Sequence, residues 1–296
     1  MNHEPNWDLY RTFLAVLREG SLSGAARMLG LTQPSVSRHI DTLEEALGKR
    51  LFLRTQRGLA PTDAALELQP YAEALALTSA ALLRAASGTA GDAITGTVRV
   101  SASEVVGVEH LPPILTGLRR QHPGLTVELV LSNRVDDLLR READIAVRMV
   151  EPEQQALVAK RCGTITLGFH ARADYLEKRG TPGSPEDLAR HDLIGFDRET
   201  PAIRAYLSRL PVPARPDFAL RADSDLAQLA FIRAGFGIGM CQVPLAAREP
   251  SLVRVLPDVF SLDLGLWVVM HEDLKTSPRC RAVFDALAQG LSLIGR

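Results

Sequence analysis

Residues 21–47 read SLSGAARMLGLTQPSVSRHIDTLEEAL. Two helical patterns meet here at a tight Gly30-Leu31-Thr32 connection. In the second pattern Val36, Ile40, Leu43 and Leu47 recur at i, i+4, i+7 and i+11, the spacing of one buried helix face. Thr32 stands where an N-cap belongs, Pro34 falls in the first turn, where a missing N–H costs little, and Gly48 is the stop. In the first pattern Leu22, Ala25, Ala26 and Leu29 form the apolar face, with Ser21 or Ser23 as cap. Ala25 and Ala26 are small enough for two helices to cross closely.

Two helices joined by so short a turn predict a helix-turn-helix, whose second helix enters the major groove of DNA. The outward first half of that helix carries Gln33, Pro34, Ser35, Ser37 and Arg38. Gln bonds adenine bidentately, Arg bonds guanine bidentately, and Ser bonds base or phosphate. The helix N-terminus favours phosphate through its free N–H groups. Taken alone, the same face also fits the solvated side of a small bundle, so the flanking sequence has to decide.

Leu9, Phe13, Val16 and Leu17 upstream form a helix that ends near Gly20 and packs behind the pair. Downstream, Leu51-Phe52-Leu53 and Leu59-Ala60 flank a turn at Gln56-Arg57-Gly58, the pattern of a small wing. Its Arg54 and Arg57 reach for phosphate or the minor groove. The chain has 296 residues and a net charge of −1, which argues against coating nucleic acid over the whole surface. Between residues 27 and 57, however, Arg27, Arg38, Lys49, Arg50, Arg54 and Arg57 outnumber Asp41, Glu44 and Glu45. A small DNA-contacting module on a neutral body fits that balance. The adjacent acids Glu44-Glu45 and Asp136-Asp137 read as solvated surface.

From Thr62 the chain is rich in Ala and Leu, and the leucines from Leu66 to Leu83 cover more than one helix face. Such a helix needs a partner, and a second copy of itself is the simplest one. The alternative is a core helix of a single domain. Pro70 marks a place for a kink, and SGTAG at 87–91 reads as a linker.

Beyond the linker the texture is α/β. Strands are predicted over 97–102, 125–131 and 143–149, with helices over 110–121 and 135–141 between them. That βαβαβ order argues for a parallel sheet with helices on both faces. One or two strands follow over 157–169, then a helix near 173–178 and a short one at SPEDL. Strands at 193–196, 217–222, 237–241 and 264–270 alternate with helices at 202–210, 226–234, capped by Ser224, and 279–293.

The three cysteines, Cys162, Cys241 and Cys280, are far apart and have no metal-type spacing, so they read as buried thiols. The polar N-terminus and the lack of a long apolar run predict a cytoplasmic protein without a membrane span. No GxGxxG after a strand, P-loop, GxSxG or HExxH is present. The glycines around Gly235–Gly239 follow a helix and open a strand, the wrong order for a dinucleotide site. No catalytic residue, cofactor or metal is assigned, because no nucleophile, base and oxyanion hole assemble.

These residues together resemble the LysR-type transcriptional regulators. The resemblance is carried by Leu9, Phe13, Glu19-Gly20-Ser21, Ala25-Ala26, Leu29, Gln33-Pro34, Ser37, Ile40, Leu43-Glu44, Leu47-Gly48, Leu51-Phe52, Arg54 and Thr62. LSNRVDDLLRREADIAVRM and AGFGIGM extend it over nearly the whole chain. One departure is Ala65, where the family usually has Gly. The resemblance implies a winged helix-turn-helix over 1–61 and a dimerisation helix and hinge over 62–90. A two-lobed α/β effector domain, like the periplasmic binding proteins, then spans 91–296. Its first lobe takes about 91–165 and 267–296, and its second about 166–266. It further implies a homodimer or homotetramer on an imperfect inverted repeat of double-stranded DNA, a small-molecule effector between the lobes, and RNA polymerase as a candidate partner. A periplasmic solute binder would lack the first 90 residues, and an enzyme fused to a DNA-binding head would need a catalytic constellation.

In open α/β sheets ligands bind beyond the carboxyl ends of strands. The candidate effector residues there are Ser101, Ser103, Asn133 and Arg148 in one lobe, and Phe196, Asp223, Ser224 and Gly239 in the other. Hydroxyls, an amide and one cation among apolar walls suit a small polar or carboxylate-bearing metabolite. Arg148 equally fits an ion pair with Asp144 or Glu151, and Ser101 and Ser103 equally fit caps of the next segment.

Overall fold

Asn6 opens the first helix, α1 (Trp7–Glu19), by accepting the Leu9 N–H on its side chain. α2 (Leu22–Leu29) is capped by Ser21, and α3 (Gln33–Leu47) by Thr32, whose Oγ1 accepts the Ser35 N–H at 3.3 Å. Gly30 and Gly48 end α2 and α3 at φ of 67° and 64°, backbone angles that favour glycine. Phe13, Val16, Ala25, Val36, Ile40 and Leu43 interdigitate as one core, closed from the side by Leu51 and Phe52. Each of the larger side chains, once fully buried, stabilises by about 2 kcal/mol before entropy is charged. A two-stranded wing follows, β1 (Phe52–Thr55) against β2 (Gly58–Pro61), antiparallel. The long α4 (Asp63–Ala86) runs unbroken through Pro70.

The computed structural model describes residues 5–55, 58–86, 94–133, 143–152, 157–198, 204 and 217–294. The linker at 87–91, the helices expected at 135–141 and 202–210 (Arg204 apart), and Arg57 lie outside the described residues. The chain separates into two compact units that divide after Ala86.

The second unit begins with β3 (Gly96–Ala102), α5 (Glu104–Glu109), α6 (Leu111–Gln121), β4 (Leu125–Leu131) and β5 (Ile145–Arg148). A long β6 (Leu157–Arg172) leads to α7 (Ala173–Arg179), β7 (Leu193–Gly195), β8 (Phe218–Arg221) and α8 (Asp225–Arg233). Then come β9 (Gly239–Gln242), α9 (Val243–Ala246), β10 (Leu252–Val255), β11 (Leu262–His271) and α10 (Pro278–Ser292).

β3 pairs in parallel with β4 and β5, as the βαβαβ order requires. The purely parallel sheet fails from there on. β11 runs antiparallel to both β5 and β6, and β9 and β10 are antiparallel to β6, so the large sheet is mixed, in the order β10-β6-β11-β5-β3-β4. The reason is length: β6 and β11 are long enough to pass from one hydrophobic core into another. Val98, Val100, Ile145, Leu266 and Leu287 belong to the first core. Phe169, Tyr175, Val255 and Phe260 belong to a second, with Ile194, Ile232, Cys241 and Leu245 beside it. These cores define two lobes.

Glu44 corrects the reading of the Glu44-Glu45 pair as solvated surface. It is only 8% exposed. Its Oε1 accepts the backbone N–H groups of Leu51, at 2.7 Å, and Phe52, at 3.2 Å, while Oε2 takes Arg50 Nη1 at 3.0 Å. The carboxylate therefore joins the second half of α3 to the first residues of the wing. Removing it strands two backbone donors, each worth about 1–3 kcal/mol when left unpaired. Glu44→Ala is expected to lower unfolding stability by about 2 kcal/mol or more and to raise amide exchange at Leu51 and Phe52. Glu45→Ala, at an exposed position, is expected to change neither in the same denaturation and exchange measurements.

Candidate functional site

The first site is the outward half of α3. Gln33, Pro34 and Arg38 are exposed, and Ser35 and Ser37 are half-buried. Val36, between them in sequence, and Ile40, one turn on, are buried, so the polar residues share the face away from the core. Gln33 Oε1 accepts from Ser23 Oγ at 3.3 Å, across the turn between α2 and α3. Ser35 Oγ pairs with Thr32 Oγ1 at 2.8 Å. α3 is also fastened to α1. The Thr12 hydroxyl donates its one proton to Asp8 O at 2.7 Å, so the 2.8 Å contact with His39 is an Nδ1–H donation from the imidazole. Arg54 lies exposed on β1 in the wing. The face thus offers an amide, hydroxyls and guanidinium groups on a rigid, capped helix, the donor and acceptor set that reads base edges and phosphates.

The second site is a cavity of about 290 Å³ in the second unit. Of the residues expected there, Ser103, Asn133, Arg148 and Phe196 line it. Four others do not, each for its own reason. Ser101 is buried beneath Arg148, accepting its Nη2 at 2.7 Å. Asp223 accepts the Arg198 N–H at 2.9 Å and pairs with its guanidinium at 3.1 Å. Ser224 caps α8, and its hydroxyl donates to Glu104 Oε2 at 2.7 Å. Gly239 is buried, and the space a side chain would need is filled by Ile232 and Ile194. Arg148 Nη1 donates to Val147 O at 3.0 Å, and Asp144 accepts the Arg99 N–H at 2.8 Å.

Residue types alone missed Asp225, Gln228, Gln242 and Cys241, which also line the cavity. Asp225 had a signal: an acid one residue after the Ser224 cap, in the first turn of a helix. Burial and the nearby Glu104 carboxylate push its pKa up to about 6, against the Asn133 hydrogen bond, which pulls it down. Burial pushes the Cys241 thiol up to about 12, so it is held as an unreactive thiol.

α5, which the sequence reading did not foresee, ties the lobes together beside this cavity. At its start Glu104 Oε2 reaches Ser224 Oγ and the Leu226 N–H, and Asn133 bridges the Glu104 N–H to Asp225 Oδ2. At its end Glu109 takes Arg233 Nη1 at 2.6 Å, and the same guanidinium is held by Glu249. That pairing holds the Glu109 carboxyl below its usual range. His110 is buried, and Arg248 Nη2 donates to its Nδ1 at 3.3 Å, so its Nε2–H donates to Gln242 Oε1 at 2.7 Å. Val105, between the two ends, packs against the core of the second lobe.

Among the described residues no group of three or more His, Cys, Asp or Glu side chains could hold a metal ion. Among them, too, no helix is long and apolar enough to cross a membrane.

Comparison with known proteins agrees with this geometry. Residues 7–66 match the model of the bacterial regulatory helix-turn-helix protein, lysR family. Residues 91–292 match the LysR substrate binding domain. The chain is 29% identical over 290 residues to the probable HTH-type transcriptional regulator LtrA of Klebsiella pneumoniae, covering 94% of this chain and 92% of that one. Its fold is similar to the solved structure of CrgA, a LysR-type transcriptional regulator from Neisseria meningitidis, with a TM-score of 0.60 at 24% identity over 99% of this chain and 100% of that one. It is similar also to full-length CbnR in complex with its target DNA, with a TM-score of 0.68 at 18% identity over 96% of this chain and 99% of that one. The helix-turn-helix and the substrate-binding domain together account for most of the sequence, and the chain belongs to the LysR family of bacterial regulatory proteins.

Proposed function

We propose that the first half of α3 reads the operator of this regulator and that the cavity between the lobes holds its effector. The observation that carries the reading is the polar face of α3, formed by Gln33, Pro34, Ser35, Ser37 and Arg38 on a helix anchored by a buried apolar stripe. Arg38 reads a base edge, and Arg54 and Arg57 hold the backbone. Membership of the LysR family, and the likeness in fold to CbnR bound to its target DNA, support the assignment. The domain scheme is 1–61 for DNA binding, 62–90 for dimerisation and the hinge, and 91–296 for the effector. The protein works in the cytoplasm on an imperfect inverted repeat, with RNA polymerase as a candidate partner.

The dimer follows from α4. Ala65 and Ala72 are buried in the core of the helix-turn-helix unit, but Leu66, Tyr71, Leu75, Leu82 and Leu83 are exposed, with Leu82 at 67%. An apolar stripe of that extent on a lone helix is poorly soluble, and a second copy of α4 covers it. One helix-turn-helix contacts few base pairs, so a two-fold dimer on two half-sites multiplies both affinity and specificity. The effector domains add a further interface that makes a tetramer.

DNA from upstream of the gene, labelled and titrated by fluorescence anisotropy, tests the interface. Arg38→Ala is expected to cost about 1–3 kcal/mol on the preferred site and to relax specificity at one position. Arg54→Ala is expected to weaken all sequences alike and to flatten the salt dependence by about one unit of slope. An Arg38→Ala protein with the original site preference and affinity would remove α3 from the role of reader.

Assembly is checked by light scattering at micromolar protein. Leu75→Glu with Leu82→Glu is expected to yield monomers and to abolish tight DNA binding, although neither residue touches DNA in this reading. A wild-type monomer, or a double variant that still dimerises, would contradict the assignment of α4.

A further inference from the structure

Most of the polar lining of the cavity is already committed. Gln228 Nε2 donates to Ala222 O at 2.8 Å, and Gln242 is held between His110 and Met149. Asn133 uses its oxygen on the Glu104 N–H, at 3.1 Å, and its nitrogen on Asp225 Oδ2, at 3.0 Å. Arg148 is turned toward β3 and β5 by Ser101 Oγ and Val147 O. Ser103 and Asp225 retain acceptor capacity. Ser103 Oγ is buried without a hydrogen-bond partner among the described residues. The Asp225 carboxylate, which has acceptor sites for about four hydrogen bonds, receives one described bond, from Asn133.

The start of α8 is where an anionic ligand would ordinarily dock, on free helix N–H groups. Here it is filled from within the chain. The Leu226 N–H donates to Glu104 Oε2 at 3.3 Å, and the Ala227 N–H to Ser224 Oγ at 3.4 Å. A ligand carboxylate at this end would be a third anion beside Glu104 and Asp225 and would bring no donor to the open acceptors. An ammonium brings opposite charge and three donors. The raised pKa of Asp225 shows that the carboxylate lacks compensating charge where it stands. Arg148, the cation in the described lining, favours the α8 side for a positive ligand group. Val105, Val150, Leu167, Phe196, Leu229 and Leu264 leave the remaining walls apolar.

We propose that the effector is a small organic cation, an apolar body carrying a primary ammonium that donates to the Asp225 carboxylate and to Ser103 Oγ. The proposal rests on the cavity being the effector site, and it replaces the carboxylate-bearing class that residue types alone suggest.

The test is calorimetry and thermal shift on the full chain with hexylammonium, hexanol and hexanoate at millimolar concentration. Hexylammonium is expected to bind, and hexanoate no better than hexanol. Asp225→Asn, which keeps the shape and removes the charge, is expected to weaken hexylammonium at least about tenfold. Ser103→Ala is expected to weaken it by less. Folding of Asp225→Asn has its own check. An acid whose native pKa exceeds its unfolded value costs stability above that unfolded value, so the variant should melt higher than wild type at about pH 8 and gain little at about pH 4. Val150→Trp, at an exposed wall position, narrows the cavity and is expected to block the probe. Hexanoate binding more tightly than hexylammonium, with Val150→Trp blocking it, would overturn the cation while leaving the cavity as the site. Hexylammonium binding equally to wild type, Asp225→Asn and Val150→Trp would overturn the cavity reading itself. Absence of hexylammonium binding to wild type, whatever the other probes do, would overturn the proposal.

Discussion

A backbone N–H that is buried where two elements meet has no water to bond and must find an acceptor in the protein. In this chain the acceptor at several such junctions is a side-chain carboxylate. Glu44 takes the N–H groups of Leu51 and Phe52 where α3 meets the wing. Asp144 takes the Arg99 N–H where β5 approaches β3, and Glu104 takes the Leu226 N–H where α5 of one lobe meets α8 of the other. A carboxylate in this position is a strong joint because the hydrogen bond is charge-assisted. It is also a vulnerable one, because removing the acid leaves both the donor and the geometry without support.

The two units use the same device for different ends. In the DNA-binding unit the joint is static. Glu44 is buried and bonded to the backbone of Leu51 and Phe52, which ties α3 to the wing strand that carries Arg54. In the effector unit the joint borders a cavity. Glu104 and Asp225 place two carboxylates near one helix end, where the described partners are Asn133, the Ser224 hydroxyl and the Leu226 N–H. The far end of α5 is better compensated, since Arg233 sits between Glu109 and Glu249. The lobes are thus held by an ion-pair cluster at one end of α5 and by uncharged partners at the end that borders the cavity. That asymmetry suits a domain that has to respond to a small molecule.

Local order was legible in the sequence, and long-range order was not. Thr32, Pro34, Gly48 and the Val36–Ile40–Leu43 spacing define α3 because caps and periodicity are local signals. Ser224 marks the start of α8 for the same reason. Glu44 reads as a surface acid because its partners lie seven and eight residues on, beyond the helix, where no periodicity points. α5 escapes notice because six residues, EVVGVE, with two adjacent valines and a glycine, carry little helical signal. The parallel sheet was a fair inference from βαβαβ, but nothing local says that β11 returns between β5 and β6. The cavity was half legible. Strand ends gave Ser103, Asn133 and Arg148, whereas Asp225 and Gln228 enter it from a helix side whose orientation only tertiary packing sets.

If a two-fold pair of α3 helices reads DNA, the preferred site carries the same symmetry. Selection of the full-length protein against a pool of random duplexes tests it most directly. Enrichment is expected of an imperfect inverted repeat whose half-sites lie one helical turn, about 10 base pairs, or a multiple of it apart. A pool that enriches no sequence, or that enriches a single site without two-fold symmetry, would contradict it.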